Sequence, residues 1–189
     1  MLSEAEQSLG KDGWPALEKA QTLAPTSNMV WVEMALYYRR QGKPDKALPF
    51  LIALAEANPQ DASWLTEIGA TVAEQGDLIE ALAYYQKAAE LEPKNAAIWR
   101  ALAEFAAENG FDAQTISIPA AEKSLELDAE DPLSLDMMGW ILLIEGELDQ
   151  AEQFLQQALE KDAANARAKL HLAQVYLEKN NFSLAYKLL

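Results

Sequence analysis

The sequence predicts an all-α fold, an α-solenoid of antiparallel helix pairs, and three observations carry that prediction. The first is composition. Among 189 residues stand 34 Ala and 28 Leu, against 4 Val, 8 Ile and 5 Thr. Ala and Leu lose little side-chain freedom in a helix, whereas strands favour β-branched and aromatic side chains, so a β-sandwich, a barrel and an α/β sheet are disfavoured. The second is an internal register. Pro25, Pro59 and Pro93 are spaced by 34 residues, Gly42, Gly76 and Gly110 repeat that spacing, and Gly146 follows after 36. Ala47, Ala81, Ser117, Ala151 and Ala185 step by 34, 36, 34 and 34, so one two-residue insertion lies between Gly110 and Ser117. The third is periodicity within the unit. Leu65, Ile68 and Val72 fall at i, i+3 and i+7, the stripe of an amphipathic helix.

Each unit therefore reads as two helices with a glycine turn between them. In the clearest unit, Gly76-Asp77 ends the first helix and caps the second, Ala81, Tyr85 and Ala88 form the second stripe, and Pro93 stops it. Small residues such as Gly69, Ala81 and Ala88 mark close helix crossings, where a large side chain would push the axes apart. In chain order, residues 1–27 end in a half repeat with Ala20 and Pro25 in register. Residues 28–61 carry Trp31, Met34-Ala35, Tyr38, Gly42, Ala47, Leu51, Leu54 and Pro59. Residues 62–95 carry Leu65, Ile68-Gly69, Val72, Gly76, Ala81, Tyr85, Ala88 and Pro93. Residues 96–131 carry Trp99, Leu102-Ala103, Ala106, Gly110, Ser117, Ala121, Ser124 and Ala129, with the insertion inside them. Residues 132–165 carry Leu135, Met138-Gly139, Leu142, Gly146, Ala151, Leu155, Ala158 and Ala163. Residues 166–189 begin a further unit with Leu172-Ala173, Tyr176, Phe182 and Ala185.

Pro49 and Pro119 each stand two residues after the small contact residue. Proline fits only the first helical turn, so both second helices are expected to start late, with Thr115 or Ser117 capping the one in residues 96–131. The sequence stops inside a second helix at apolar Leu188-Leu189 with no polar capping helix. It is expected to be a segment of a longer array, and to self-associate weakly as a homodimer through that uncapped end.

This arrangement resembles the tetratricopeptide repeat (TPR) family, whose unit is a 34-residue helix–turn–helix with an aromatic, Leu-Gly, Tyr, Ala, aromatic, Ala, Pro pattern. The resemblance covers nearly the whole chain. It implies a right-handed α-solenoid, a superhelix with a concave face lined by first helices, and a non-catalytic scaffold that binds a peptide or protein segment there. The second possibility is a regulatory or partner-recruiting region of a larger enzyme or membrane-anchored protein.

Transferring the family's ligand-contacting positions by register gives groove candidates in every unit. The main ones are Met29, Val32, Leu36, Arg39 and Arg40 in the first full unit, Thr66 in the second, and Arg100 and Glu104 in the third. Asp136, Trp140 and Leu143 follow in the fourth, and Leu170 and Gln174 in the last. Trp140 with Leu133, Leu143 and Ile144 has the make-up of an interface anchor. The full transferred set holds Arg39, Arg40, Arg100 and Arg167 against Glu74, Glu104, Glu108, Asp136 and Glu178. The groove is thus expected to be near neutral and to suit a mixed apolar and acidic peptide. The Lys and Asn clamp with which some family members hold a chaperone's C-terminal carboxylate is missing.

Chemistry is excluded more firmly than binding is defined. With no Cys there is no thiolate zinc site or Cys nucleophile, and the single His171 has no second His or Cys with which to form a metal site or an acid–base pair. No glycine-rich phosphate loop is present, and acidic runs such as Glu130-Asp131 read as solvated helix ends. No catalytic residue, cofactor or metal is expected. A net charge of −15 repels phosphate backbones and anionic membranes, so neither nucleic acid nor direct membrane contact is expected. No signal-peptide pattern opens the sequence, and the expected location is cytoplasmic.

Overall fold

The computed structural model describes residues 13–188. Eleven α-helices stand among them: α1 Trp14–Leu23, α2 Asn28–Arg40, α3 Pro44–Ala57, α4 Ser63–Glu74, α5 Leu78–Leu91, α6 Ala96–Glu108, α7 Ile118–Leu127, α8 Pro132–Ile144, α9 Leu148–Lys161, α10 Ala166–Glu178 and α11 Phe182–Leu188. A single π-helical turn, Ala113–Ser117, precedes α7. No strand occurs among the described residues. The chain divides into two compact units, one ending at Glu92 and the other beginning at Pro93. Within them α2 packs on α3, α4 on α5, α6 on α7, α8 on α9 and α10 on α11. No helix among the described residues is long and apolar enough to cross a membrane.

The register explains the packing. Ala47, Ala81, Ala88, Ala151 and Ala158 are fully buried, as close helix crossings require. The turn glycines Gly42, Gly76, Gly110 and Gly146 take φ between 65° and 93°, where a Cβ would clash with the backbone. The turn before α11 has Asn180 in that place, at φ 58°, and Asn is the side chain that best tolerates this conformation. Gly139 answers a different need. A Cβ there would lie 2.6 Å from Leu155 Cγ, so α8 and α9 approach as closely as they do only because the position is bare.

The two prolines behave differently. α7 starts late, at Ile118, with Pro119 in its first turn as expected. α3 does not start late: it runs from Pro44, and Pro49 lies inside it. Pro49 forfeits one hydrogen bond, to the carbonyl of Asp45 in the exposed first turn. Both residues are exposed, so water can serve that carbonyl.

The cap in the third unit also differs from expectation. Asp112 accepts from the Thr115 N–H and hydroxyl, both at 2.9 Å. Ser117 precedes α7, but its hydroxyl is buried and has no hydrogen-bond partner. The two inserted residues are absorbed as the π turn, closed by the Ile118 N–H donating to the Ala113 carbonyl. Pro119, just beyond it, has no N–H with which to hold an α-helical register back into that turn.

Candidate functional site

In each unit the first helices of the pairs carry the candidate binding residues, and local capping fixes their register. Asn95 caps α6 by accepting from the Ala97 N–H, Asp131 caps α8 at Leu133 and Ser134, and Asn165 caps α10 at Ala168.

In the first unit, Met29, Leu36 and Arg40 on α2 are exposed, and Val32 is half-buried. Arg39 reaches across to α4, donating from Nε and Nη2 to Glu74 Oε1 at 3.1 and 2.7 Å and from Nη1 to Glu67 Oε2 at 2.7 Å. Its hydrogen bonds to Glu74 raise its already high pKa further. Thr66, half-buried on α4, donates to the Ser63 carbonyl of its own helix at 2.7 Å.

The second unit holds a denser polar cluster. Arg100 on α6 pairs with Asp131, whose Oδ2 also accepts from the Ser134 hydroxyl at 2.6 Å and the Ser134 N–H at 3.1 Å. Ser124 of α7 donates to the Ala96 carbonyl at 2.9 Å and lies 2.7 Å from the Ser134 hydroxyl. Burial pushes the Asp131 carboxyl up, but the bonds from Ser134 and Leu133 together with the Arg100 charge outweigh it, and the pKa falls below the usual carboxylate value. Asp131 is thus a half-buried organiser of α6 and α8, not the solvated helix end expected of it.

Asp136 and His171 form the second layer of this cluster. Asp136 is buried on α8 and lies 2.8 Å from His171 Nδ1 on α10. A carboxylate only accepts, which places a ring proton on Nδ1. The other face of the cluster is Trp140, whose ring stacks on His171 at 5.8 Å and 20°. Arg167 bridges Glu104 at 2.8 Å and Asp136 at 3.6 Å. The Arg167–Glu104 pair joins α10 to α6, the first helices on either side of α8. Glu108 also sits on α6, and burial followed by repulsion from Glu104 raises its pKa.

Two groove candidates are therefore corrected. Asp136 and Leu143 are both buried, because α8 is covered by α6, α7, α9 and α10. What α8 leaves open is Leu133, Ile144 and part of Trp140. Leu170 and Gln174 on α10 are exposed, as is Leu177, while Arg100 and Glu104 are half-buried in their ion pairs. The sequence alone did not bring out the roles of Asp131, Ser134 and His171. The available signal was an Asp-Pro-x-Ser helix start with an Arg one unit earlier. Among the described residues no group of three or more Asp, Glu or His side chains is placed to hold a metal ion.

Two family models, both of the tetratricopeptide repeat, match residues 32–96 and 73–111 in one case and 142–189 in the other. The chain belongs to the tetratricopeptide repeat family. Solved TPR-like structures agree with the fold. MamA from Desulfovibrio magneticus RS-1 is 18% identical over 85% of this chain and 90% of its own, with a TM-score of 0.67. PilF of Pseudomonas aeruginosa is 21% identical over 93% and 79%, with a TM-score of 0.68. YrrB, described as a TPR protein with an unusual peptide-binding site, is 20% identical over 92% and 88%, with a TM-score of 0.59. No curated protein sequence matches the chain. At these identities the likeness is one of fold alone.

Proposed function

We propose that this TPR chain is a non-catalytic scaffold that binds a peptide or protein segment along the concave face of its first helices. One observation carries the reading. In the second unit Arg100 and Arg167 are engaged by carboxylates of the chain itself, as Arg39 is in the first, while apolar side chains of α8 and α10 are left to water. Leu170 is 57% exposed and Ile144 52%, and Leu133, Leu177 and the half-buried Trp140 lie on the same two helices, α8 and α10. Exposed aliphatic groups around an aromatic anchor are what a bound segment would cover. The peptide-binding site named for YrrB supports the same class of ligand.

Peptides selected from a random display library on the immobilised chain test this. Binding is expected to fall sharply in a Leu133→Asp, Leu170→Asp double variant that keeps its helical circular dichroism. Peptides that bind this variant as well as the parent would overturn the reading.

The expected self-association belongs to the same proposal. Phe182 and Tyr186 on α11 are 63% and 85% exposed, an apolar surface that a second copy would cover.

A further inference from the structure

The second helices of successive pairs leave crevices between them, and two of these, one in each unit, are not alike. In the first unit, between α3 and α5, the crevice has a volume of about 560 Å³ and is lined by mixed charges, Glu56, Asp61 and Glu90 with Lys87. Its counterpart between α7 and α9 reaches about 910 Å³. Its apolar floor comes from Ile118, Leu125, Met138, Leu142 and Phe154. Its rim carries Glu122, Glu126, Glu145 and Glu147, and no Lys or Arg lines it.

The widening has a local cause. α3, α5 and α9 have 14 residues each, whereas α7 has 10, because the two-residue insertion and Pro119 turn the start of that helix into the π turn. Gln114 from the π turn and Ile118 just after it both line the crevice. An insertion that costs a register shift and leaves Ser117 buried without a partner thus borders the wider of these two crevices.

The charges point to one kind of occupant. Glu126 is paired with Lys123 at 2.7 Å, and Glu147 only accepts a long 3.5 Å bond from Gln150. Glu122 and Glu145 have no ion-pair partner among the described residues. Glu145 caps the C-terminus of α8, the negative end of the helix dipole, where a carboxylate is unfavourable. An apolar trough ringed by carboxylates is complementary to a segment that presents apolar side chains on one side and Lys or Arg beside them. We propose that the α7–α9 crevice is a second docking site, distinct from the concave face, and that it takes a basic amphipathic helix from a partner protein. Such a helix would lay its apolar face on Met138, Leu142 and Phe154 and set its basic residues against Glu122 and Glu145.

A fluorescent Leu/Lys amphipathic helical peptide is the probe, with a sequence-scrambled peptide of equal composition as the control for non-specific attraction to an acidic chain. The amphipathic peptide is expected to bind more tightly than the scramble and to lose about tenfold in affinity in a Glu122→Lys, Glu145→Lys double variant. A Trp140→Ala variant of the concave face is expected to bind it unchanged. Amide shifts in the labelled chain should cluster at residues 114–126 and 138–154. Equal binding of the scramble, or equal binding by the double variant, overturns the proposal. Loss of binding on Trp140→Ala would move the peptide to the concave face and overturn it too. A dimer of the parent chain that dissociates in the double variant would assign the crevice to a second copy instead.

Discussion

Gly139 sets how closely α8 and α9 approach, and the structure separates its role from that of its counterpart one pair earlier. A methyl at Gly139 would meet Leu155 Cγ at 2.6 Å, the branch point of a fully buried side chain. At Gly69 it would meet the ring edge of half-buried Tyr85 at 3.0 Å and the Ala81 carbonyl oxygen at 3.2 Å, both longer contacts than those at Leu155. Gly139→Ala is therefore expected to destabilise by about 1–3 kcal/mol through overpacking. Gly69→Ala should come out close to neutral, since the gain in helix propensity of about 1 kcal/mol offsets the contact. Urea denaturation of the two variants checks the order, and equal midpoints would refute it.

Asp131 gives a second residue-scale test. Its folded pKa lies below the ordinary 3.8, so its stabilisation is present above that value and is lost as pH falls through the folded pKa. Asp131→Ala should cost about 0.5–2 kcal/mol near neutral pH, the usual worth of an N-cap, with the gap to the parent narrowing in acid. A gap that stays constant with pH would remove the charge from the explanation.

At the scale of elements, α8 is the best-buried helix among the described residues. Ser134, Leu135, Asp136, Met137, Met138, Gly139, Ile141, Leu142 and Leu143 are all buried within its 13 residues. A helix that is apolar on nearly every side must be enclosed, whereas α1 and α11 each pack mainly on one neighbour. Hydrogen exchange is therefore expected to be slowest in α8 and fastest in α1 and α11, since helices packed on one side open first. Exchange in α11 as slow as in α8 would contradict this. The same burial shows what could be read from the chain beforehand. Helix pairs, their turns and the close crossings were legible because each rests on a local requirement: a left-handed residue at Gly42 or Gly76, a bare crossing at Ala81 or Ala151. The enclosure of Asp136 was not, because it depends on His171 arriving from another unit of the repeat. Ser124, which departs from the Ala of the pattern, was legible as an exception but not as a bond to Ser134 and Ala96. Pro49 misled because the rule that bars proline from helices is a rule about cost, and an exposed first turn lowers that cost.

At the scale of the whole molecule, the net charge of −15 acts on every encounter the chain makes. Two copies repel one another over distances comparable to the Debye length, about 10 Å at 0.1 M salt, while an apolar contact is not screened. Self-association through Phe182 and Tyr186 of α11 is opposed by the long-range term and favoured by the short-range one. It is therefore expected to strengthen as salt is raised. Binding of a basic peptide in the α7–α9 crevice is expected to weaken over the same range, because there the long-range term is attractive. Sedimentation equilibrium at low and moderate salt should show a monomer moving toward a weak dimer, and a Phe182→Ser, Tyr186→Ser variant should stay monomeric throughout. A parent chain that remains monomeric at every concentration and salt would show that the exposed face of α11 is too small to overcome the charge. A dimer that loosens with salt would mean that ion pairs between copies, rather than these aromatic side chains, hold it together.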